Sequence, residues 1–288
     1  MKRNSAFSLL EVSTVILIVG LLSVGIFISS GIIKKSKISR AQVLTRNSPI
    51  SEIKDLALWY ETSLDTSFIE SEKKDGSSIS IWYDNSNQTL KKNNATQTNS
   101  SLAPIFTADV FDQAIPALRF NGISSYLNYN GLFLVNTSYT IFVVEQRRSS
   151  GNEQYFMGGD SGSSNEDLVL GYRNNTTMTQ AHYYNDLDIT VSGYINPKPV
   201  INTFWLSTVS GGGKRYWQNG GVNPDESSTG STHEIALLNY LGAAIGKHQT
   251  KYYTGDIAEI IIFTRALQTE ERQAVEDYLS RKYNIVIS

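Results

Sequence analysis

No cysteine occurs among the 288 residues, which excludes disulfides, thiolate metal sites and cysteine nucleophiles. Only three histidines are present, and His182, His233 and His248 stand far apart in no metal-ligand spacing. Proline is scarce, at six, and none falls in the N-terminal apolar run, so that run carries no proline kink. Net charge is only −2, which leaves no bulk electrostatic case for nucleic acid. Tyrosine, in contrast, is plentiful at 16, beside asparagine and recurring Ser/Thr/Asn/Gly clusters. A chain of this length can bury a sizeable core in one large domain without staples. The composition suits a β-rich, loop-rich domain of the extracellular type.

The N-terminus is built differently. Lys2 and Arg3 precede Asn4-Ser5-Ala6-Phe7-Ser8-Leu9-Leu10-Glu11, and from Val12 to Ile33 no charge occurs. About 20 apolar residues suffice to cross a bilayer as a helix. Lys34, Lys35, Lys37 and Arg40 follow, and the helix should end near Asn47-Ser48-Pro49, because proline disfavours a helical residue before it. Three readings compete. One is a plain anchor whose Ser8 and Glu11 form a capping box. Another is a secretory signal peptide, opposed by the acid at Glu11 and the want of a clear cleavage site. The third rests on Ala6-Phe7-Ser8-Leu9-Leu10-Glu11, which resembles the class III signal of type IV pilins and pseudopilins.

That resemblance implies cleavage between Ala6 and Phe7 by a prepilin peptidase, with methylation of the new Phe7 amine. It also implies an assembly role for Glu11, whose carboxylate would meet the Phe7 amine of a neighbouring subunit among apolar helices. There the low dielectric strengthens the pair and makes either lone charge expensive. Two departures stand out: Ala6 replaces the usual glycine, and the apolar run lacks the proline that kinks the helix of many pilins. The positive charges beyond Ile33 also favour the opposite topology.

Beyond a polar hinge at Ile50 to Asp55, the sequence turns to short alternating runs. Ala57–Tyr60, Ser80–Tyr83, Ala117–Phe120, Tyr139–Val144, Phe204–Ser207 and Ile257–Phe263 read as strands. Asn121-Gly122, Asn130-Gly131 and Asn219-Gly220 supply turn signals. One helix closes the chain: Thr269 can cap it, and Ala274, Val275, Tyr278 and Leu279 form its apolar stripe. The expected fold is mainly β, a sandwich with a short C-terminal helix.

The order of Leu58-Trp59-Tyr60, Trp82-Tyr83-Asp84, Ala117–Gly122, Tyr139–Val144, Trp217–Gly220, Gly255–Ile260, Arg265-Ala266-Leu267 and Lys282-Tyr283 is similar to that of laminin-G-like, concanavalin A-like jelly rolls of bacterial surface proteins. Fold follows firmly from such a resemblance and function loosely, since these domains bind glycans, proteins or calcium, or act as spacers. The expected organisation is a leader at 1–6, a transmembrane and assembly helix of pilin type at 7–50, and the sandwich at 56–288.

Related jelly rolls include glycoside hydrolases with paired acids on one strand face. The local candidate, Asp256 and Glu259, stands three apart, which in a regular strand puts the two on opposite faces. Gly211-Gly212-Gly213-Lys214 lacks the frame of a phosphate loop and reads as a turn. The oxygen-rich Asp160–Asp167 stretch is the one place for calcium, though it lacks EF-hand order and a solvated loop is favoured. No other metal or cofactor is expected. Tyr126, Tyr129, Tyr155, Tyr172, Tyr183, Tyr184 and Tyr194 lie in or beside polar loops, where tyrosines stack on sugars, anchor protein interfaces or plug sandwich edges.

The resulting expectation is a non-catalytic minor pilin-like subunit of a type IV pilus, displaying an adhesive sandwich. It would pass through the inner membrane, N-terminus cytoplasmic, before joining an extracellular filament. Its partners would be other pilin subunits, the prepilin peptidase, and a glycan or host surface protein. The alternatives are a pseudopilin of a type II secretion system and a membrane-anchored glycan-processing enzyme.

Overall fold

A computed structural model describes residues 9–88, 92–191 and 197–287, with the helical backbone alone for 21–30. The chain is mainly β, a sandwich with a short C-terminal helix. Helix α1 spans Leu9–Arg46 and α2 spans Thr269–Tyr283. The first sheet runs in the order Glu226–Ser228, Gly213–Gln218, Val200–Ser207, Tyr139–Arg147, Thr254–Phe263, Ile115–Asn121 and Ile105–Phe111, and Leu56–Glu61 also pairs with Thr254–Phe263. The second runs Leu187–Thr190, Thr177–Ala181, Val169–Tyr172, Gln154–Gly158, Ala244–Ile245, Leu127–Asn128, Ala95–Thr96 and Ile81–Trp82. A hairpin of Lys247–His248 and Lys251–Tyr252 lies beside it.

Period-two alternation sorts the side chains. Leu58, Tyr60, Ile141, Val143, Ile260 and Ile262 join Phe156, Leu170 and Met178 in the core between the sheets. Trp59, Phe142, Val144, Ile261 and Phe263 point the other way, into a second cluster under Val275, Tyr278 and Leu279 of α2. The end of α1 shares that outer cluster, with Ala41 buried in it. Lys37 Nζ reaches Asp112 Oδ1 at 3.0 Å, and the Tyr278 hydroxyl donates to Thr45 Oγ1 at 3.2 Å. Helix α1 stops at Arg46, three residues before Pro49, as the sequence requires.

Among the described residues no helix is long and apolar enough to cross a membrane. The expectation of a single-pass inner-membrane anchor is corrected accordingly, and with it the passage to a surface filament. Described apolar side chains run only from Leu9 to Gly20 and again to Ile33. Basic residues then begin, and the helix end docks on the sandwich. Leu9 and Leu10 of this run are exposed, as is Glu11. Ala6 and Phe7 lie outside the described residues.

Three local expectations also change. The N-cap of α2 is Gln268, one residue before Thr269; its backbone N–H donates to Glu271 Oε2 at 3.1 Å, and Arg265 holds that carboxylate through two bonds. Gln154–Gly158, Val169–Tyr172, Thr177–Ala181 and Leu187–Thr190 are strands, where the sequence reads as polar loops. They are short and set between Asn-, Ser- and Gly-rich connections, which hides their alternation. Finally, a β-bulge between Ile257 and Glu259 adds a residue to the strand. Glu259 therefore joins Asp256 and Ala258 on the outer face, where strict alternation would oppose it.

Candidate functional site

The two acids brought to one face by the bulge do not form an open site. Asp256 is fully buried, paired with Arg119 Nε at 2.7 Å and Arg148 Nη1 at 3.3 Å. Glu259 lies under α2 and accepts from Trp59 Nε1 at 2.7 Å, Tyr283 at 2.8 Å and Lys282 Nζ at 2.8 Å. Lys282 Nζ also reaches Glu61 Oε2 at 2.9 Å. Two carboxylates and one ammonium are thus sealed between helix and sheet, an arrangement that fastens α2.

An accessible site opens on the outer face of the second sheet, as a cleft of ≈ 280 Å³. Tyr155, Val169, Thr179 and Ala181 form its floor; Arg173, Tyr183 and Asp186 stand on one side, and His248, Gln249 and Lys251 on the other. The floor follows from strand alternation: Leu170 and Met178 face the core, so Val169 and Thr179 face outward. The hairpin can approach because of Gly158, where a Cβ would stand 2.8 Å from the His248 backbone. Next to it, a Cβ on Gly159 would meet Asp167 Oδ1 at 2.3 Å. Both glycines are needed for close approach.

His248 links the two halves of the cleft. Its ring packs edge-on to Tyr155 at 5.4 Å and lies 5.8 Å from Tyr183. Its Nδ1 stands 3.2 Å from Asp167 Oδ2, close enough for an ion pair but outside hydrogen-bond geometry. Asp167 is fully buried, and burial pushes its carboxyl up against the pull of His248. Arg173 lies between two acids, bonded to Asp186 and 2.7 Å from Asp188 Oδ1, while Lys251 Nζ is 2.6 Å from Glu153 Oε2. Within the lining, Thr179 Oγ1, Asp186 Oδ1 and His248 Nδ1 are buried without a hydrogen-bond partner. They are closed off from the cleft, whose open polar groups are the part-exposed side chains of Arg173, Asp186 and Lys251.

Lys214 sits behind this wall, 1% exposed, its Nζ donating to Asn185 O at 2.8 Å. Burial lowers its pKa to about 8 from 10.5, with the Asp186 charge opposing. Below pH 8 the ammonium is protonated in both states and its burial cost is fully present. Between pH 8 and 10.5 the unfolded chain binds more protons, so stability rises with pH across that window. Lys214→Met is therefore expected to be more stable than the parent by ~2–3 kcal/mol at pH 7. That advantage should vanish above pH 10.5 in urea titrations; a pH-independent difference would contradict the assignment.

The aromatic residues singled out from sequence divide. Tyr155 and Tyr183 belong to the cleft, Tyr183 with its backbone at φ 61°. Tyr129 and Tyr172 are core residues. Tyr126 packs with Tyr252 at 6.5 Å, Tyr184 is exposed, and Tyr194 lies outside the described residues. His182 is buried, bonded through Nε2 to the Tyr139 hydroxyl at 3.0 Å. In the proposed calcium loop, Asp160 pairs with Lys247 at 2.9 Å. Among the described residues no group of three or more His, Asp or Glu could hold a metal ion. Sequence reasoning missed Thr179, Asp186, Arg173 and His248 as one site, since they come from segments with no shared motif.

No protein-family model matches the sequence, and no curated protein does. Solved structures do. A sialidase of Trypanosoma rangeli matches at 13% identity over 87% of this chain and 39% of its own, with TM-score 0.53. The likeness is one of fold. A GH54 α-L-arabinofuranosidase mutant matches at 13% identity over 72% of this chain and 51% of its own, with TM-score 0.50. Domain 4 of a GH43 extracellular arabinanase from Geobacillus stearothermophilus, in complex with arabinotriose, is covered over 98% of its length, at 15% identity, 78% of this chain and TM-score 0.42. The chain spans 39% or less of the sialidases it matches.

These neighbours are glycoside hydrolases or parts of them. The likeness to the sialidase and the arabinofuranosidase overturns the expectation of a non-catalytic pilus adhesin, and with it the pseudopilin alternative and the reading of the chain as not an enzyme.

Proposed function

We propose that this chain is a glycan-processing protein whose sandwich, of the laminin-G-like and concanavalin A-like kind, holds a saccharide in the cleft beside Tyr183 and His248. The carrying observation is the pairing of aromatic surface with polar side chains: the exposed ring of Tyr183 beside Arg173, Asp186, Gln249 and Lys251. A sugar offers an apolar ring face and a rim of hydroxyls, which such a lining matches. The fold likeness to a sialidase and an arabinofuranosidase supports the same class of ligand. Tyr183→Ala is expected to weaken oligosaccharide binding about tenfold, from the loss of ~1–1.5 kcal/mol of ring contact. Calorimetric titration of the full chain with an oligosaccharide panel reads this, and unchanged affinity would remove Tyr183 from the site.

Release of reducing ends from a bound oligosaccharide is the outcome that separates turnover from binding.

A distinct proposal concerns the N-terminal stretch, through its resemblance to the prepilin signal. Cleavage between Ala6 and Phe7 would free an amine for methylation, and Glu11 would pair with that amine on a neighbouring chain. Intact-mass measurement is expected to give a chain starting at methylated Phe7; retention of Met1 would dismiss the cleavage.

A further inference from the structure

Resting on the glycan reading above, we infer that the cleft takes non-acidic saccharides, neutral or amine-bearing, and rejects chains that carry carboxylates. The charges around it decide this. Glu153 and Asp186 among the lining residues are matched by Arg173 and Lys251. Both bases are already committed, Lys251 to Glu153 at 2.6 Å and Arg173 to Asp188 at 2.7 Å as well as to Asp186. Just behind the lining, Asp188 adds an acid and Lys214 an ammonium, Asp167 faces His248, and the nearby Lys247 is held by Asp160 at 2.9 Å. The Asp167–His248 pair aside, the charges of the site therefore balance, and its lining cations are engaged, with none left open to a carboxylate.

Asp186 acts in the same direction: part-exposed at the cleft with one oxygen bonded to Arg173, its carboxylate opposes the close approach of a second carboxylate. Recognition of an acidic sugar normally recruits an arginine with its fork open, and Arg173 has its fork closed by two aspartates.

The test is calorimetric titration of the full chain with three oligosaccharide sets of matched length: neutral, amine-bearing, and acidic with sialyl or uronate groups. The acidic set should bind at least about tenfold more weakly, with the gap narrowing as salt is raised. Opening the Arg173 fork with Asp186→Asn and Asp188→Asn together should narrow the gap at low salt. Equal or tighter binding of the acidic set, lost in Tyr183→Ala, would overturn the inference and leave the glycan reading standing. Binding of none of the three sets would defeat both.

Discussion

Lys282→Met should lower the stability of the folded chain by ~3–5 kcal/mol, the range for stripping one partner from a buried ion pair. Its ammonium is fully buried between Glu61 and Glu259, 2.9 and 2.8 Å from their oxygens. Burial raises both acids' pKa values, but they end differently. Lys282, with the Ser63 and Ser67 hydroxyls, holds Glu61 below its ordinary value. Glu259 stays above its own, because the Glu61 charge reinforces burial against the pull of Lys282. Removing the ammonium leaves two acids facing each other beneath Tyr278 and Tyr283, away from water. Total stability of a domain is about 5–15 kcal/mol, so the loss is a large fraction of it. Pairing Lys282→Met with Glu259→Gln should recover part of the loss, because the remaining acid then has no like neighbour. Urea midpoints of parent, single and double variants read this, and a single variant within ~1 kcal/mol of the parent would show that water reaches the pair.

Glu145→Ala is expected to cost about 3 kcal/mol or more, and through a different layer. The Glu145 carboxylate lies in the core between the sheets and accepts from Tyr172 at 2.7 Å, Asn202 Nδ2 at 3.1 Å and the Tyr253 hydroxyl. Burial pushes its pKa up, against the donors that favour the charged form. Alanine would orphan three buried donors and leave a void. Because Glu145 is in the first sheet and Tyr172 in the second, the change also loosens the sheet that carries the cleft. Glu145→Ala should therefore weaken saccharide binding as well as stability, whereas Lys282→Met, acting under α2, should affect stability alone. Glu145→Gln keeps an acceptor and the volume, and should lose less than half as much.

Much of the first sheet was legible because its strands are long and carry aliphatic or aromatic residues in plain alternation, as in Tyr139–Arg147 and Thr254–Phe263. The C-terminal helix was legible for the same reason, at period 3.6. The second sheet was not, since runs such as Thr177–Ala181 place Thr and Gln among the apolar residues between turn-rich connections. Facing was misread at Glu259 because a bulge leaves no signature in a single sequence. The cleft was invisible for a topological reason. Asp167 and His248 are distant in the chain and meet only because Gly158 and Gly159 let the hairpin close onto the sheet. Two of its members, Tyr155 and Tyr183, were picked out as ligand-seeking tyrosines, but nothing in the sequence separated them from core residues such as Tyr129 and Tyr172.

Crystals of the full chain soaked with a neutral oligosaccharide test the central claim most directly. The expected result is a sugar ring packed on Tyr183, with hydroxyls within hydrogen-bond distance of the Asp186 carboxylate, Gln249 or Lys251. A saccharide bound elsewhere on the sandwich, with this cleft empty, would contradict it.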